Sequence, residues 1–438
     1  MIASDARPEQ TEQGFRRAVS RWEIVGLAVN DVIGSGVYLL PAAAALILGP
    51  MSVWAVVLAG LAVLLLVLCF AEAGSHFDTP GSAYLYARTA FGELAGFEVG
   101  WMTWLARVSS VASLSVGFAQ ALGYLWPAVS GGPAKTLAIV LPVLALTAIN
   151  VVGVKSGVRT AVFLAISKTV PLVVFILFGL PAVSVALATR PTGGTGKFGE
   201  AALLLLFAYA GFENTAAPAG EFKNPKRDVP FALIAQIVLV TLIYSAVQWV
   251  ALGTLPDLAH SATPLADAAR GFLGPWGGLL LTAGAAISIL GTNGNTIFSG
   301  PRYLWALARD GFGPAYLARL HPRFRTPVGA LLTQTAIAIP LALTGSFVGL
   351  AALSVVARLA TYVGTAAAVP ILRKKMPANP NAFRLPWGPT IPILACLLCI
   401  AFAASATSKN LIAGAIAVAV GGVLYLLRRK VPREEAES

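Results

Sequence analysis

Five ionisable side chains stand well inside otherwise apolar stretches of this 438-residue chain: Asp31, Arg107, Lys168, Glu213 and Arg358. At the centre of a membrane helix a charge costs about 2.5–3.5 kcal/mol on insertion scales, so each is a candidate for handling an ion or a solute. Two of them adjoin glycine breaks: Asp31 precedes Gly34-Ser35-Gly36, and Glu213 follows Ala210-Gly211. Opening a helix there frees backbone N–H and C=O groups, each costing several kcal/mol in hydrocarbon unless something satisfies it. The segment that begins near Gly36 turns its N–H groups and positive dipole end toward the first break, where a carboxylate fits. The segment that ends near residues 207–210 turns carbonyls toward the second break, where a protonated amine fits. A zwitterion with both groups on one carbon satisfies both breaks together.

The elements that must position these groups are membrane helices. Hydrophobic residues make up 57% of the chain and charged residues 11%, against about 25% charge in a soluble domain. A helix needs about 20 apolar residues to cross the hydrocarbon core. The sequence offers twelve such runs, at 24–48, 51–73, 94–125, 136–152, 158–180, 201–219, 230–253, 276–308, 328–344, 347–372, 391–407 and 411–427. The short alternating strands of a membrane barrel are not seen. The expected fold is an all-α polytopic membrane protein of about twelve transmembrane helices.

A net charge of +12 invites a nucleic-acid reading, but its distribution points to a lipid bilayer. With the N-terminus inside and sides alternating, the inner face collects Arg16, Arg17, Arg21, Arg88, Lys223, Lys226, Arg227, Arg373, Lys374, Lys375, Arg428, Arg429 and Lys430 among others, while the outer face holds only Lys135, Arg190, Lys197, Arg270 and Lys409. That asymmetry predicts a multi-pass protein of the cytoplasmic membrane with both termini cytoplasmic. The polar stretch before the first run lacks the small-residue cleavage site of a signal peptide.

The runs repeat in layout. The first and the sixth are each broken about ten residues in. The second is followed by Thr79-Pro80, an arm ending in Phe91-Gly92 and a long span; the seventh is followed by Thr263-Pro264, an arm ending in Phe272-Leu273-Gly274 and another long span. Five spans per copy is odd, so the second copy is inverted, and paired broken helices in inverted halves point to a binding site at the bilayer midplane. The expected organisation is a tail at 1–21, a first repeat at 22–182, a second at 199–376, spans eleven and twelve at 388–428 and a tail at 429–438.

Four motifs in order then resemble the amino acid–polyamine–organocation superfamily. They are Ile33-Gly34-Ser35-Gly36-Val37-Tyr38 with Pro41; Pro80-Gly81-Ser82-Ala83-Tyr84-Leu85-Tyr86; Phe207-Ala208-Tyr209-Ala210-Gly211-Phe212-Glu213 with the loop from Glu221 to Pro230; and Ala308-Arg309-Asp310-Gly311 with Pro314. The resemblance implies a five-plus-five inverted repeat with discontinuous helices one and six, and secondary transport of amino acids or related amines by alternating access. It maps the carboxylate site onto Ser35 and Gly36, and the amine site onto the carbonyls of Val32, Ile33, Phe207 and Ala210. Gly34, Ala208 and Gly211 complete the two breaks, and Phe207, at the family's gating-aromatic position, and Tyr209 are aromatic candidates for the pocket wall, with lipid or core packing as the alternative. The run Ala165-Ile166-Ser167-Lys168-Thr169-Val170 resembles the lysine-bearing fifth helix of sodium-independent members. There the ammonium replaces a sodium ion; here it would meet the carbonyls of Asn30 and Ile33, with Ser288 or Thr292 as further partners.

Burial disfavours a charged ammonium and a carboxylate at Asp31 favours it. A lysine that loses its proton in one conformation gives proton coupling; one that keeps it gives an exchanger or uniporter with a fixed cation. Asp31 itself departs from the small or neutral residue usual before this motif. Glu213 reads as a pocket or gate carboxylate, or as a first-turn acid stabilised by the helix dipole. Repeat symmetry with Lys168 sets Arg358 against the sixth helix, as a partner of Glu213, an outer gate, a holder of an anionic side chain or a cap on carbonyls. Arg107 is left without an assigned neighbour. Ser288, Thr292 and Thr296 share one helix face, with back-bonding to their own helix as the alternative.

An enzyme is the rival of another class. His76, His260 and His321 lie far apart, no serine sits in a nucleophile elbow, and Gly193-Gly194-Thr195-Gly196-Lys197 lacks the first glycine and the final Ser/Thr of a phosphate loop. Cys69, Cys396 and Cys399 read as small buried residues. No cofactor or metal is expected. A non-transporting amino acid sensor would keep the same fold.

Overall fold

The computed structural model describes residues 20–77, 82–152, 158–191, 197–214, 225–376 and 383–427, and among these every regular element is a helix. Both tails, Pro80-Gly81, Lys155, Gly193 to Gly196 and the loop from residue 215 to Asn224 lie outside the described residues.

The chain enters through α1 (Arg21–Val32), whose first turn is tied by the Ser20 N–H and hydroxyl donating to the Glu23 carboxylate at 2.8 and 2.7 Å, a capping arrangement that satisfies an otherwise orphan donor. The helix stops at Ile33, where the backbone turns extended (φ −69°, ψ 102°), and resumes as α2 (Gly36–Leu48). Together they make one interrupted crossing. Helix α3 (Ser52–Ser75) returns, the short arm α4 (Ser82–Phe91) follows, and α5 (Glu93–Leu122), α6 (Gly132–Val152) and α7 (Val158–Gly179) complete the first half.

The second half repeats the plan. After the short α8 (Val185–Ala188), α9 (Phe198–Tyr209) breaks at Ala210-Gly211, and a 3₁₀ turn follows at Phe212–Asn214. Helix α10 (Pro225–Thr254), the arm α11 (Pro264–Leu273), α12 (Pro275–Arg309), α13 (Val328–Thr344) and α14 (Phe347–Lys375) come next. Each arm joins its long helix through a glycine at positive φ, Gly92 at 97° and Gly274 at 69°, conformations that residues with a Cβ avoid. The long helices, 30 residues in α5 and 35 in α12, are therefore related in both length and entry geometry. Helices α15 (Thr390–Ala404) and α16 (Ser408–Leu426) close the chain.

Eight stretches among the described residues are long and apolar enough to cross a membrane. One of them, Gly36–Ser75, runs through both α2 and α3, and α9, α13 and α15 are shorter apolar helices. With α2 and α3 counted separately, these elements fall on the twelve apolar runs of the sequence. The core lies along α5, which packs on both α12 and α14 and has 78% of its apolar window buried, against 6% for α16. Helix α16 presents Ile412, Ile416, Val423 and Leu426 outward, as a lipid-facing helix does.

Candidate functional site

The two breaks lie against each other. A Cβ on Gly36 would stand 2.5 Å from the Ala208 Cα, and a Cβ on Gly211, whose φ is +126°, would run into the Asp31 carbonyl. Glycine at both places lets two opened backbones meet without side chains between them. Gly34 is different, with only the Thr292 side chain at 3.4 Å.

The carbonyls freed at the first break have partners from three other helices. Lys168 Nζ on α7 donates to the Asn30 carbonyl at 3.0 Å and to Thr292 Oγ1 at 3.1 Å. Thr292 Oγ1 in turn donates to the Ile33 carbonyl at 3.3 Å. Ser288 Oγ donates to Ile33 at 3.1 Å and lies 3.3 Å from the Gly34 carbonyl. Tyr244 OH on α10 reaches the Ala208 carbonyl at 3.0 Å and the Val32 carbonyl at 3.4 Å, so one hydroxyl joins both breaks. The Ile33 carbonyl, expected against the ammonium, is thus taken by the two α12 hydroxyls. Val32 and Ile33 are buried, and the Phe207 carbonyl accepts the Ala210 N–H at 3.2 Å. In this arrangement these carbonyls already have donors.

Lys168 is fully buried, and its hydrogen-bonding partners are a carbonyl and a hydroxyl. The Asp31 carboxylate accepts from Asn295 Nδ2 at 2.8 Å. Ser35 is also fully buried, and its hydroxyl has no hydrogen-bond partner among the described residues. Within Ile33–Tyr38 the Ser35 hydroxyl is a buried side-chain polar atom without a partner, an arrangement uncommon in a folded protein.

Glu213 gathers two of the other intramembrane charges, Arg107 and Arg358, into one cluster with the second break. Its Oε2 accepts the Gly211 N–H at 3.0 Å, and its Oε1 accepts from Arg107 Nη2 at 3.3 Å and from Arg358 Nη1. All three side chains are buried, at 3%, 6% and 3% exposure for Arg107, Arg358 and Glu213. Arg358 Nη2 also donates to Ser110 Oγ at 2.9 Å, and its Nε reaches Ser354 Oγ at 3.4 Å. The cluster therefore spans α5, the sixth-helix break and α14.

The remaining candidates scatter. Phe207 packs edge-on against Phe347 at 6.0 Å. Tyr209 points to α3, donating to the Val56 carbonyl at 3.0 Å. Thr296 donates to the Thr292 carbonyl on its own helix at 2.8 Å, the back-bonded alternative. Sequence reasoning overlooks Glu72, which is fully buried and held by Arg373 Nε at 2.5 Å, Arg373 Nη2 at 2.7 Å and the Leu385 N–H at 2.8 Å. It also overlooks Tyr244, whose bridging hydroxyl nothing in the local sequence announces. Near the same end of the bundle, Arg21 on α1 pairs with Asp228 on α10 at 2.9 Å, and Asp310 accepts from Tyr84 at 2.5 Å and Arg88 at 3.0 Å.

A polytopic helical bundle with two broken helices meeting at a buried polar centre defines a membrane transporter. The family model described as "Amino acid permease" matches residues 19–425, and the chain belongs to that family. It is similar to three proteins of Bacillus subtilis (strain 168). The methylthioribose transporter is 29% identical, over 96% of this chain and 95% of the relative. The branched-chain amino acid permease BcaP is 29% identical, over 95% and 94%. The serine/threonine exchanger SteT is 31% identical, over 88% and 90%. The chain is a multi-pass membrane transporter and not an enzyme, and its bacterial relatives imply the plasma membrane.

Proposed function

We propose that this protein carries a small amino acid across the cytoplasmic membrane by alternating access, without sodium and coupled to protons, with both termini on the cytoplasmic side. The substrate α-carboxylate binds at Ser35 and the first N–H groups of α2, and the amine binds at the carbonyls of the sixth-helix break once the two breaks part. The reading is supported by the unpartnered Ser35 hydroxyl at the dipole end of α2, which offers a donor where an anion is favoured. It is also supported by relatives that include a branched-chain amino acid permease and a serine/threonine exchanger.

Lys168 supplies the fixed cation that joins α7 to α1 and α12. Losing its proton weakens together the Asn30 and Thr292 contacts that hold α7 to α1 and α12. Proton loss would then release the first helix. Counterflow in liposomes tests the transport reading. Vesicles preloaded with unlabelled leucine, serine or threonine should accumulate the labelled form transiently, with or without sodium. The absence of counterflow for every amino acid would overturn transport, and a sodium requirement would overturn the coupling.

Exchange is the second reading, favoured by the similarity to the serine/threonine exchanger. In it Lys168 keeps its proton throughout, and uptake into empty vesicles is far slower than into preloaded ones.

A further inference from the structure

We propose that a cavity between the outer end of α5 and the arm α11 is a second amino acid site, which takes the substrate carboxylate at Lys135 and Arg270 and its ammonium at Asp267 before the two breaks part. The inference rests on the amino acid reading and the topology above, and adds a site remote from Ser35. The cavity measures about 570 Å³, within the range of about 300–1,000 Å³ of small-molecule sites. Gln120 and Tyr124 line it from the end of α5 and the turn that follows, Lys135 from the start of α6, and Thr263, Asp267 and Arg270 from the arm and its cap.

Lysine and arginine are scarce on the outer face of a membrane protein. Yet two of the five that the topology assigns there, Lys135 and Arg270, line this one cavity from different elements. Among the described residues neither side chain has an ion-pair or hydrogen-bond partner. Asp267 holds its own place through one oxygen: Oδ2 accepts from Ser261 Oγ at 2.5 Å and from Thr263 Oγ1 at 3.2 Å. Its charge is not cancelled by either hydroxyl. A simple anion in the cavity is repelled by Asp267, and a simple cation by Lys135 and Arg270, so a zwitterion is the solute that both signs favour. A cleft lined by such charges also raises the local concentration of the solute it suits.

The cavity lies beyond a closed apolar layer. Its wall residue Val116 precedes Gly117, where a Cβ would stand 3.1 Å from Leu39 of α2 and from Phe347 of α14. Phe347 in turn meets Phe207 edge-on at 6.0 Å. Leu39 is about one turn along α2 from Gly36, and Phe207 precedes the Ala210-Gly211 break, so these side chains come between the two breaks and the cavity end of α5. Gln120 Nε2 fastens the arm side to α5 by donating to the Ala262 carbonyl at 2.6 Å. An amino acid in the cavity waits above the layer and does not touch Ser35.

The test is equilibrium binding of a labelled amino acid, chosen by the counterflow screen, to the purified protein in detergent. The wild type should bind two molecules per chain. Ser35→Ala should weaken one of them at least about tenfold and leave the other unchanged. Lys135→Gln combined with Arg270→Gln should abolish that other and leave the Ser35 site unchanged, a separation that a merely structural role would not produce. Ser130→Cys on the cavity wall covers the case of a double variant that does not fold. It keeps both cations, and an impermeant thiol reagent should label it several-fold more slowly when the amino acid is present, even in a chain that also carries Ser35→Ala. One molecule per chain in the wild type, or two in the folded double variant, would overturn the second site while leaving transport standing. Labelling of Ser130→Cys that the amino acid does not slow would overturn it as well. Loss of the second molecule on adding phosphatidylethanolamine would assign the cavity to a zwitterionic lipid headgroup and overturn it too. Neither binding nor counterflow with any amino acid would overturn the transport reading, and this site with it.

Discussion

Gly36 of α2 lies directly on Ala208 of α9: a Cβ on the glycine would stand 2.5 Å from the Ala208 Cα and 2.6 Å from its Cβ. The obstacle is backbone, which cannot rotate away as a side-chain tip would. Gly36→Ala should therefore force the two half-helices apart, lowering the melting temperature in detergent and abolishing uptake. Gly34→Ala meets only Thr292 at ordinary contact distance and should melt close to the wild type. Equal melting temperatures for the two variants would show that the close approach is not a constraint on the fold.

Ser35 carries a different kind of prediction. Its hydroxyl is buried and unpaired, so Ser35→Ala removes no hydrogen bond from the folded protein and should leave thermal stability unchanged or raised. A hydrogen bond to a charged ligand is worth about 1.5–3 kcal/mol, so the same variant should weaken substrate binding at least about tenfold. Loss of stability with unchanged affinity would remove Ser35 from the binding site.

Glu72 is a structural carboxylate on present geometry. Both its oxygens are engaged by Arg373, and Oε2 also receives the Leu385 N–H. Breaking a buried ion pair by removing one partner costs about 3–5 kcal/mol. Glu72→Gln should therefore lower thermal stability sharply, and pairing it with Arg373→Met should recover part of the loss. A fully stable Glu72→Gln protein would show that the pair contributes little.

The two breaks are legible in the sequence because only glycine suits them, and an interrupted apolar run stands out where regular helix is the rule. The arms and long helices are legible for the same reason, through Gly92 and Gly274. The length of the sixth crossing is less so: α9 has only 12 residues before its break. The rotation of each helix about its axis is legible only in part: repeat symmetry with Lys168 offers Glu213 as one partner for Arg358, but nothing places Arg107. Arg107 and Arg358 are 106 and 145 residues from Glu213, and no local pattern says that both turn toward it. Tyr244 escapes notice because one tyrosine in a membrane span looks like packing until its hydroxyl is seen between Val32 and Ala208. Glu72 escapes because it stands near a span end, where an acid is ordinarily solvated.

The central claim is that Lys168, which reaches from α7 to the Asn30 carbonyl at 3.0 Å and to Thr292 at 3.1 Å, is the group through which protons drive amino acid uptake. The most direct measurement is uptake of a labelled amino acid, chosen by the counterflow screen, into liposomes with an imposed proton gradient, comparing the wild type with Lys168→Met. The account predicts that the gradient accelerates the wild type several-fold with no sodium present. It predicts that the variant binds substrate but shows no response to the gradient or to pH. Sodium-dependent uptake, or a Lys168→Met protein with full activity and an unchanged pH response, would contradict it.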